Sequence, residues 1–407
     1  MIDSALRDRL ADFYRDLHEH PELSFQEHRT ASKIIEVLAG LSLEVTGEVG
    51  GTGVVAVLRN GDGPVVMLRA DMDALPVAEQ TGLPYASTAD GIDQDGVKVQ
   101  VMHACGHDMH VTCLVGALTV LSRTRADWSG TIMAVFQPAE EILAGARALI
   151  DDGLFERFPK PAVVLGQHVG PLPAGFLAYC PGPAMASTDS LLIKLYGRGG
   201  HGSRPETAVD PVVMAASVIM RLQTVVSREV APSDTAVVTV GSVHAGTKEN
   251  IIPGEAELKV NIRSFSEPVR AKVLGAIERI VRGEAAAAGA PRDPDVTVYS
   301  SGPVLVNDVT ATTATVEALQ AGLGSDKIFQ ILAVSASEDF GLLRAAAGVP
   351  SVFWFFGGPA EEIFHGKQLD EIPSNHSAEF APAIEPTLTT GIEALTTAAR
   401  AWLSPGR

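Results

Sequence analysis

The stretch Met102-His103-Ala104-Cys105-Gly106-His107-Asp108-Met109-His110 places a thiol, three imidazoles and a carboxylate within nine residues of a chain that has three cysteines and eleven histidines in all. Soft and borderline donors crowded in this way point to a metal site. Cys105 and His107 are two residues apart, just ahead of the helical run Met109, Cys113, Leu114, Ala117, Leu118 and Leu121. That spacing puts them on the turn entering a helix N-terminus, where the helix dipole and any bound cation favour a thiolate. A single Cys-x-His also has a plainer explanation, a small buried cysteine beside capping or surface histidines. The weight therefore rests on what else the chain carries.

Three apolar runs end in polar clusters. Val65-Val66-Met67-Leu68 runs into Arg69-Ala70-Asp71-Met72-Asp73, Thr131 to Phe136 into Gln137-Pro138-Ala139-Glu140-Glu141, and Val163-Val164-Leu165 into Gly166-Gln167-His168. Ligands in open α/β sheets bind beyond the carboxyl ends of the strands, so these clusters are expected to converge. Taken singly, Asp71 and Asp73 could be turn formers, Glu140 and Glu141 the acidic first turn of a helix, and His168 an ordinary loop histidine. Together with Cys105 and His107 they form a hydrolytic constellation. Of two adjacent carboxylates beside a metal, one can ligate while its neighbour takes a proton from a water, which makes Glu141 the ligand and Glu140 the general base. The donor set suits Zn2+, with Mn2+, Ni2+ or Co2+ as alternatives.

These groups need a scaffold, and 407 residues with 46% hydrophobic content are enough for two domains. Leu6, Leu10, Phe13 and Leu17 predict a helix stopped by Pro21, and a second helix is expected over roughly residues 27–41. Val54 to Leu58 and Pro64 to Leu68 flank Asn60-Gly61-Asp62-Gly63, a hairpin signal, and further strands are expected at Thr131 to Phe136, Ala162 to Leu165, Ile328 to Val334 and Ser351 to Phe355. The fold class is α/β, a mixed sheet with helices on both faces.

From Ser187 to Ser301 the rhythm changes to strand, helix, strand, strand, helix, strand. Ala256, Leu258, Val260 and Ile262 alternate with Glu257, Lys259, Asn261 and Arg263, the pattern of a one-sided antiparallel strand. The order βαββαβ predicts a ferredoxin-like α+β unit inserted into the larger domain. The expected organisation is thus residues 1–186 and 302–407 as the two parts of a catalytic domain, with 187–301 inserted between them. Pro181-Gly182-Pro183 and Ser301-Gly302-Pro303 are the candidate hinges.

A net charge of -18 and a pI near 5.0 make nucleic acid and anionic membranes poor partners, since both are bound through clustered Lys and Arg. An anionic substrate would need a local cation. Cys105, Cys113 and Cys180 are too few for a disulfide framework, and Met1-Ile2-Asp3-Ser4-Ala5-Leu6-Arg7 lacks the basic and apolar regions of a secretion signal. A cytoplasmic location is expected, without a membrane span.

MLRADMDALP, MHACGHDMH, FQPAEE, GQHV, GRGGHGSRPETAVDP, ENIIPGEAELKVNIRSF, SEDF and NHSAEF, in this order, resemble the M20 metallopeptidase family. The likeness is to its amidohydrolase branch of hippurate hydrolases, N-acyl-amino-acid hydrolases and auxin-conjugate hydrolases. The resemblance implies a zinc-peptidase-like catalytic domain, and an inserted lid that also forms a homodimer interface. It implies about two divalent metals per subunit, held by Cys105, His107, Glu141, His168 and His376, with Glu140 as general base. It also implies that His201 reaches a neighbouring subunit's site to stabilise an oxyanion, and that Asn250 and Arg263 contact a small N-acyl amino acid. Arg263 lies on the polar face of its strand, where a guanidinium can take a carboxylate bidentately. His103, Asp108 and His110 are expected to orient a ligand imidazole.

Two positions depart from the family pattern. Other branches supply a histidine ligand where Arg69 stands, which leaves Asp71 a structural role, and many relatives carry histidine where Glu206 stands. The same site could instead serve dipeptides or a C-terminal peptide bond. A metal-containing binding subunit without turnover is disfavoured by the pairing of Glu140 with Glu141.

Overall fold

The computed structural model describes residues 2–368 and 371–405. In chain order the elements that matter here are α1 (Ser4–Glu19), α2 (His28–Leu38), β1 (Glu44–Val49), β2 (Gly53–Asn60), β3 (Val65–Asp71), α3 (His107–Arg123), β4 (Trp128–Gln137), α4 (Gly145–Asp151), β5 (Val163–Gly170) and β6 (Leu177–Tyr179). They continue with β7 (Ser187–Tyr196), α5 (Pro211–Thr224), β8 (Ala236–Ala245), β9 (Glu255–Ser264), α6 (Glu267–Ala287), β10 (Asp295–Gly302), α7 (Val309–Leu323), β11 (Ile328–Gln330), α8 (Phe340–Ala347), β12 (Ser351–Gly357) and α9 (Ile384–Trp402). The chain divides into two compact units, one of Met1–Gly182, Val306–Leu332 and Asp339–Arg407, the other of Pro183–Leu305 and Ala333–Glu338.

In the first unit the strands run β1-β2-β4-β3-β5-β12-β6-β11. β3, β4, β5 and β12 are mutually parallel where they pair, while β1–β2, β2–β4 and β12–β6 are antiparallel, so the sheet is mixed as the sequence implied. β2, β4 and β5 are buried along nearly their whole length, the signature of a sheet covered on both faces. Neighbouring residues on β5 show both covers. A Cβ at Gly166 would meet Phe340 of α8, whereas Gln167 donates to the carbonyl of Gly391 in α9. α3 is enclosed from His107 to Leu121 and packs against α1, α9 and the sheet, which explains why its sequence is apolar on all sides.

One expectation fails here. The turn Asn60-Gly61-Asp62-Gly63 joins β2 to β3, but these strands are not a hairpin, because β4 lies between them, antiparallel to β2 and parallel to β3. The turn wraps over the start of β4: Pro64 O accepts from Thr131 N at 2.9 Å, and a Cβ at Gly63 would come within 2.9 Å of the Gly130 backbone. A local chain reversal was legible, but its pairing is decided by the apolar β4, which is buried along nearly its whole length between the two strands.

In the second unit β7, β8, β9 and β10 form an antiparallel sheet in the order β8-β9-β7-β10, the ferredoxin-like arrangement that βαββαβ implies. Ala256, Leu258, Val260 and Ile262 of β9 share one core with Met214, Val218 and Leu222 of α5 and Val273, Ile277 and Val281 of α6. The segment Ala333–Glu338 joins this unit from a distance, through Ala186 N, which donates to Val334 O and Ala336 O. That attachment was not foreseen. Among the described residues, no helix is long and apolar enough to cross a membrane.

Candidate active site

The parallel register brings the strand ends together. Asp71 on β3 pairs with Gln137 on β4, and Arg69 with Gly166 on β5, so the segments that follow each strand leave at one edge of the sheet. α3 starts at the same edge. Its N-cap, Gly106, is left-handed (φ 79°), and a Cβ there would meet Val169 at 2.4 Å. Only glycine lets the helix entry, with Cys105 and His107 on either side, approach the strand that carries His168.

Cys105, His107 and Glu141 offer donor atoms that all lie within 4.8 Å of one another. Cys105 Sγ is 3.5 Å from His168 Nε2, His107 Nε2 is 3.7 Å from Glu141 Oε1, and His376 Nε2 is 3.4 Å from Glu141 Oε2. Two donors on one ion with bonds of about 2.0–2.3 Å stand roughly 3–4 Å apart, so these separations suit shared coordination. The five residues thus come together from four separate segments of the chain.

The ring nitrogens are sorted by their other bonds. His107 Nδ1 faces Asp73 Oδ1 at 3.2 Å and His168 Nδ1 faces its neighbour's carbonyl, Val169 O, at 2.7 Å. Both acceptors fix the proton on Nδ1 and leave Nε2 as the lone-pair donor. His107 Nε2 and Glu141 Oε1 are buried with no hydrogen-bond partner. Orphaned atoms of this kind, a nitrogen and a carboxylate oxygen, fit a divalent cation with N, S and O ligands.

Electrostatics agree. Burial by itself lowers the pKa of His107, but the charges of Asp71 and Glu141 and the bond to Asp73 raise it to about 10. Burial raises Glu141 to about 8, with Asp73 and Asp71 adding to the effect against the pull of His107. A cluster that draws protons onto an imidazole and a carboxyl is one that demands positive charge. His168 is held well below its usual range by burial and by His110.

A second group, Asp71, His107, His110 and His168, is equally tight, but His110 is already committed. Its Nδ1 bonds Asp71 at 2.5 Å and its Nε2 accepts from Val169 N at 2.7 Å. Asp71 also takes Arg69 Nη1 at 2.6 Å. Arg69 continues to Gln137 Oε1 at 2.9 Å and to Asp339 Oδ1 at 3.2 Å, a buried network that braces the floor of the site. Arg69 and Asp339 thus brace Asp71, which is tied to Arg69 and His110 and whose Oδ2 also lies 3.7 Å from His107 Nε2.

Asp108 and His110 do not orient a ligand ring through hydrogen bonds. Asp108 bonds His18 at 2.7 Å, and both nitrogens of His103 are buried without a partner. The orienting role falls to Asp73, whose Oδ2 also accepts from Glu141 N at 3.0 Å, and to the Val169 carbonyl. Asn375 was missed as well. Its Nδ2 donates to Cys105 O at 3.2 Å and Val169 O at 3.0 Å, tying together the segments that carry Cys105, His168 and His376.

Glu140 is 5% exposed, with Oε2 4.0 Å from His107 Nε2. In the second unit, the short ladder of Gly200–His201 with Ile251–Ile252 sets His201 beside Asn250, whose carbonyl accepts from Gly202 N at 2.8 Å. His201 Nδ1 accepts from Ser203, which leaves Nε2 as the protonated, donating nitrogen. Arg263 on β9 donates through Nη1 to Ser335 O at 2.7 Å and Ser337 Oγ at 3.0 Å.

The family model described as peptidase family M20/M25/M40 matches residues 67–399. An N-acetylcysteine deacetylase of Bacillus subtilis (strain 168) is 38% identical over 404 residues, covering 95% of this chain and 100% of the relative. A hippurate hydrolase of Campylobacter jejuni is 41% identical over 330 residues, 80% of this chain and 82% of the relative. The crystal structure of the Bacillus subtilis YXEP protein, described as a dinuclear metal binding peptidase from the M20 family, is similar with a TM-score of 0.77 at 32% identity, covering 98% of each chain. Family model, relatives and fold agree: this chain belongs to the M20 peptidase family, in its amidohydrolase branch.

Proposed function

We propose that this metallo-amidohydrolase cleaves the amide between an acyl group and an amino acid, with Glu140 as general base. The observation that carries the proposal is that two sequence-adjacent, nearly buried carboxylates reach one imidazole, Glu141 Oε1 at 3.7 Å and Glu140 Oε2 at 4.0 Å from His107 Nε2, while the third carboxylate there, Asp71 at 3.7 Å, is already held by Arg69 and His110. Cys105, His107, Glu141, His168 and His376 would hold the divalent metal, two ions per subunit, with Zn2+ favoured by the thiolate and imidazoles. When bound, the cation supplies Lewis acidity, which makes a water easier to deprotonate and a carbonyl easier to attack.

Glu140 takes a proton from the attacking water as the new C–O bond forms. It returns that proton to the amine nitrogen as the C–N bond breaks, so the products are a carboxylate and a free amino acid. His201 Nε2–H and Asn250 offset charge on the carbonyl oxygen, a contribution typically worth about 100-fold to 1,000-fold per donor. Arg263 holds the α-carboxylate, supplying the local cation that a chain of net charge -18 otherwise denies an anionic substrate. The inserted unit serves as lid and dimer interface, and His201 acts on the partner's site.

Elemental analysis of the purified protein, coupled to hydrolysis of acetyl-, benzoyl- and indole-acyl amino acids and of dipeptides before and after chelation, tests this reading. Turnover of N-acyl amino acids that is lost on chelation and regained with metal is expected. Faster cleavage of dipeptides would assign the site to peptides instead. Glu140→Gln should lower kcat by about 100-fold to 10,000-fold with metal content near wild type; an active variant would refute the base assignment.

A further inference from the structure

The loop that carries Glu140 and Glu141 is held in a conformation that its residues disfavour. Ala139 (φ 49°) and Leu143 (φ 55°) are left-handed without being glycine, at a cost of about 1–2 kcal/mol each. Two carboxylates from elsewhere in the chain grip its backbone, Glu27 accepting from Ala139 N at 2.8 Å and Asp73 from Glu141 N at 3.0 Å, while Asp339 accepts from Ala146 N at 2.9 Å in the first turn of α4 that follows. Asp73 also holds His107, and Asp339 also holds Arg69 and Gln137.

Glu27 needs a different explanation. It stands at the N-cap of α2, the natural place for an acidic side chain to cap a helix, yet its side chain makes no capping bond. It is fully buried, and it reaches 112 positions along the chain to Ala139 while its other oxygen accepts from Thr52 Oγ1 at 2.5 Å. Burial, with the nearby Asp73 charge, pushes its carboxyl up to about 7, so keeping an acid here carries a cost. The bond it makes is to the residue immediately before Glu140.

We propose that Glu27 is a positioning residue for the hydrolytic step, fixing the Ala139 peptide in its left-handed turn and thereby aiming the Glu140 carboxylate. The inference rests on Glu140 being the general base. Because Glu141 N is tied separately to Asp73, loss of Glu27 should misplace the base more than the ligand.

The test compares Glu27→Ala, Glu27→Gln and Glu140→Gln as metal-loaded full-length proteins, reading kcat, KM and metal content on one N-acyl amino acid. Glu27→Ala is expected to lower kcat by about 10-fold to 100-fold, the usual price of a displacement near 1 Å, with KM within about twofold and metal content unchanged. Glu27→Gln keeps one acceptor oxygen for Ala139 N and should recover kcat to within about threefold of wild type. If Glu27→Ala does not fold, Glu27→Asp takes its place, since it keeps the charge but withdraws the acceptor by a methylene; the same fall in kcat is expected. A kcat within twofold of wild type, metal lost in proportion to kcat, or a glutamine variant no better than the alanine one would each overturn the proposal. Glu140→Gln separates the two claims. If it stays active, the base assignment fails; if it is inactive while Glu27→Ala is not, only the role of Glu27 fails.

Discussion

The carboxylate of Asp73 accepts the Nδ1 proton of His107 at 3.2 Å, and its other oxygen holds Glu141 N at 3.0 Å. One side chain thus fixes both the tautomer of a candidate ligand and the backbone of the next. Removing such a partner typically costs about 10-fold to 100-fold in metal affinity. Asp73→Ala should show that loss in a competition titration against a chromophoric chelator. Wild-type affinity in the variant would reduce Asp73 to a turn former.

Cys105 Sγ and His168 Nε2 face each other at 3.5 Å, with the Asn375 amide closing the space behind the sulfur. A ligand role makes a definite prediction for Cys105→Ala. Metal per subunit, measured by elemental analysis after gel filtration, should fall, and readded metal should be held more weakly. Unchanged stoichiometry would make Cys105 a packed core thiol, in keeping with its burial alone.

Which parts of the site were legible follows from the range of the signals. Cys105, His107, Glu140, Glu141 and His168 sit at strand ends or a helix entry, positions that local periodicity marks and that a parallel sheet necessarily gathers. His376 is a left-handed loop residue (φ 69°) with a side chain 58% exposed, and only the motif resemblance singled it out. Asp73 was singled out without its orienting role, and Asn375 and Glu27 were given none, because their partners lie 34, 270 and 112 positions away, and no window of sequence contains such a bond. The false hairpin at Asn60-Gly61-Asp62-Gly63 has the same origin, since a turn records a reversal and the rest of the sheet decides what pairs.

His18 makes stability depend on alkaline pH. Its Nδ1 bonds Asp108 at 2.7 Å and its Nε2 bonds Glu79 at 3.1 Å, and two carboxylate partners require both nitrogens to donate, as in an imidazolium. Burial alone lowers its pKa, but the bonds to Asp108 and Glu79 outweigh that and raise it to about 10. The unfolded chain releases the same proton near pH 6.5. The stabilisation is therefore fully present below about pH 6.5 and is lost as pH rises through about 10, because across that window the native state binds the extra proton. Urea unfolding between about pH 6 and 10 should show this decline in the wild type, and a shallower one in His18→Gln, which should be less stable at neutral pH by on the order of 3–5 kcal/mol. Equal slopes would mean that the buried ring is neutral.

The proposed action of His201 across a dimer can be tested with subunits that are each inactive. His201 Nδ1 is engaged by Ser203, so one donating nitrogen remains for an oxyanion. Subunits altered as His201→Ala keep Glu140 but lack the donor; subunits altered as Glu140→Gln keep the donor but lack the base. In a mixed dimer, one active site pairs the intact base of one chain with the intact His201 of the other. Mixing the two under conditions that exchange subunits should then restore up to about one quarter of wild-type turnover, since half the dimers are mixed and each has one complete site. If His201 works within its own chain, neither site of a mixed dimer is complete, and turnover should stay at the level of the separate variants. Gel filtration of the mixture guards against the remaining alternative, because a protein that elutes as a monomer could show no exchange, and would already refute action across an interface.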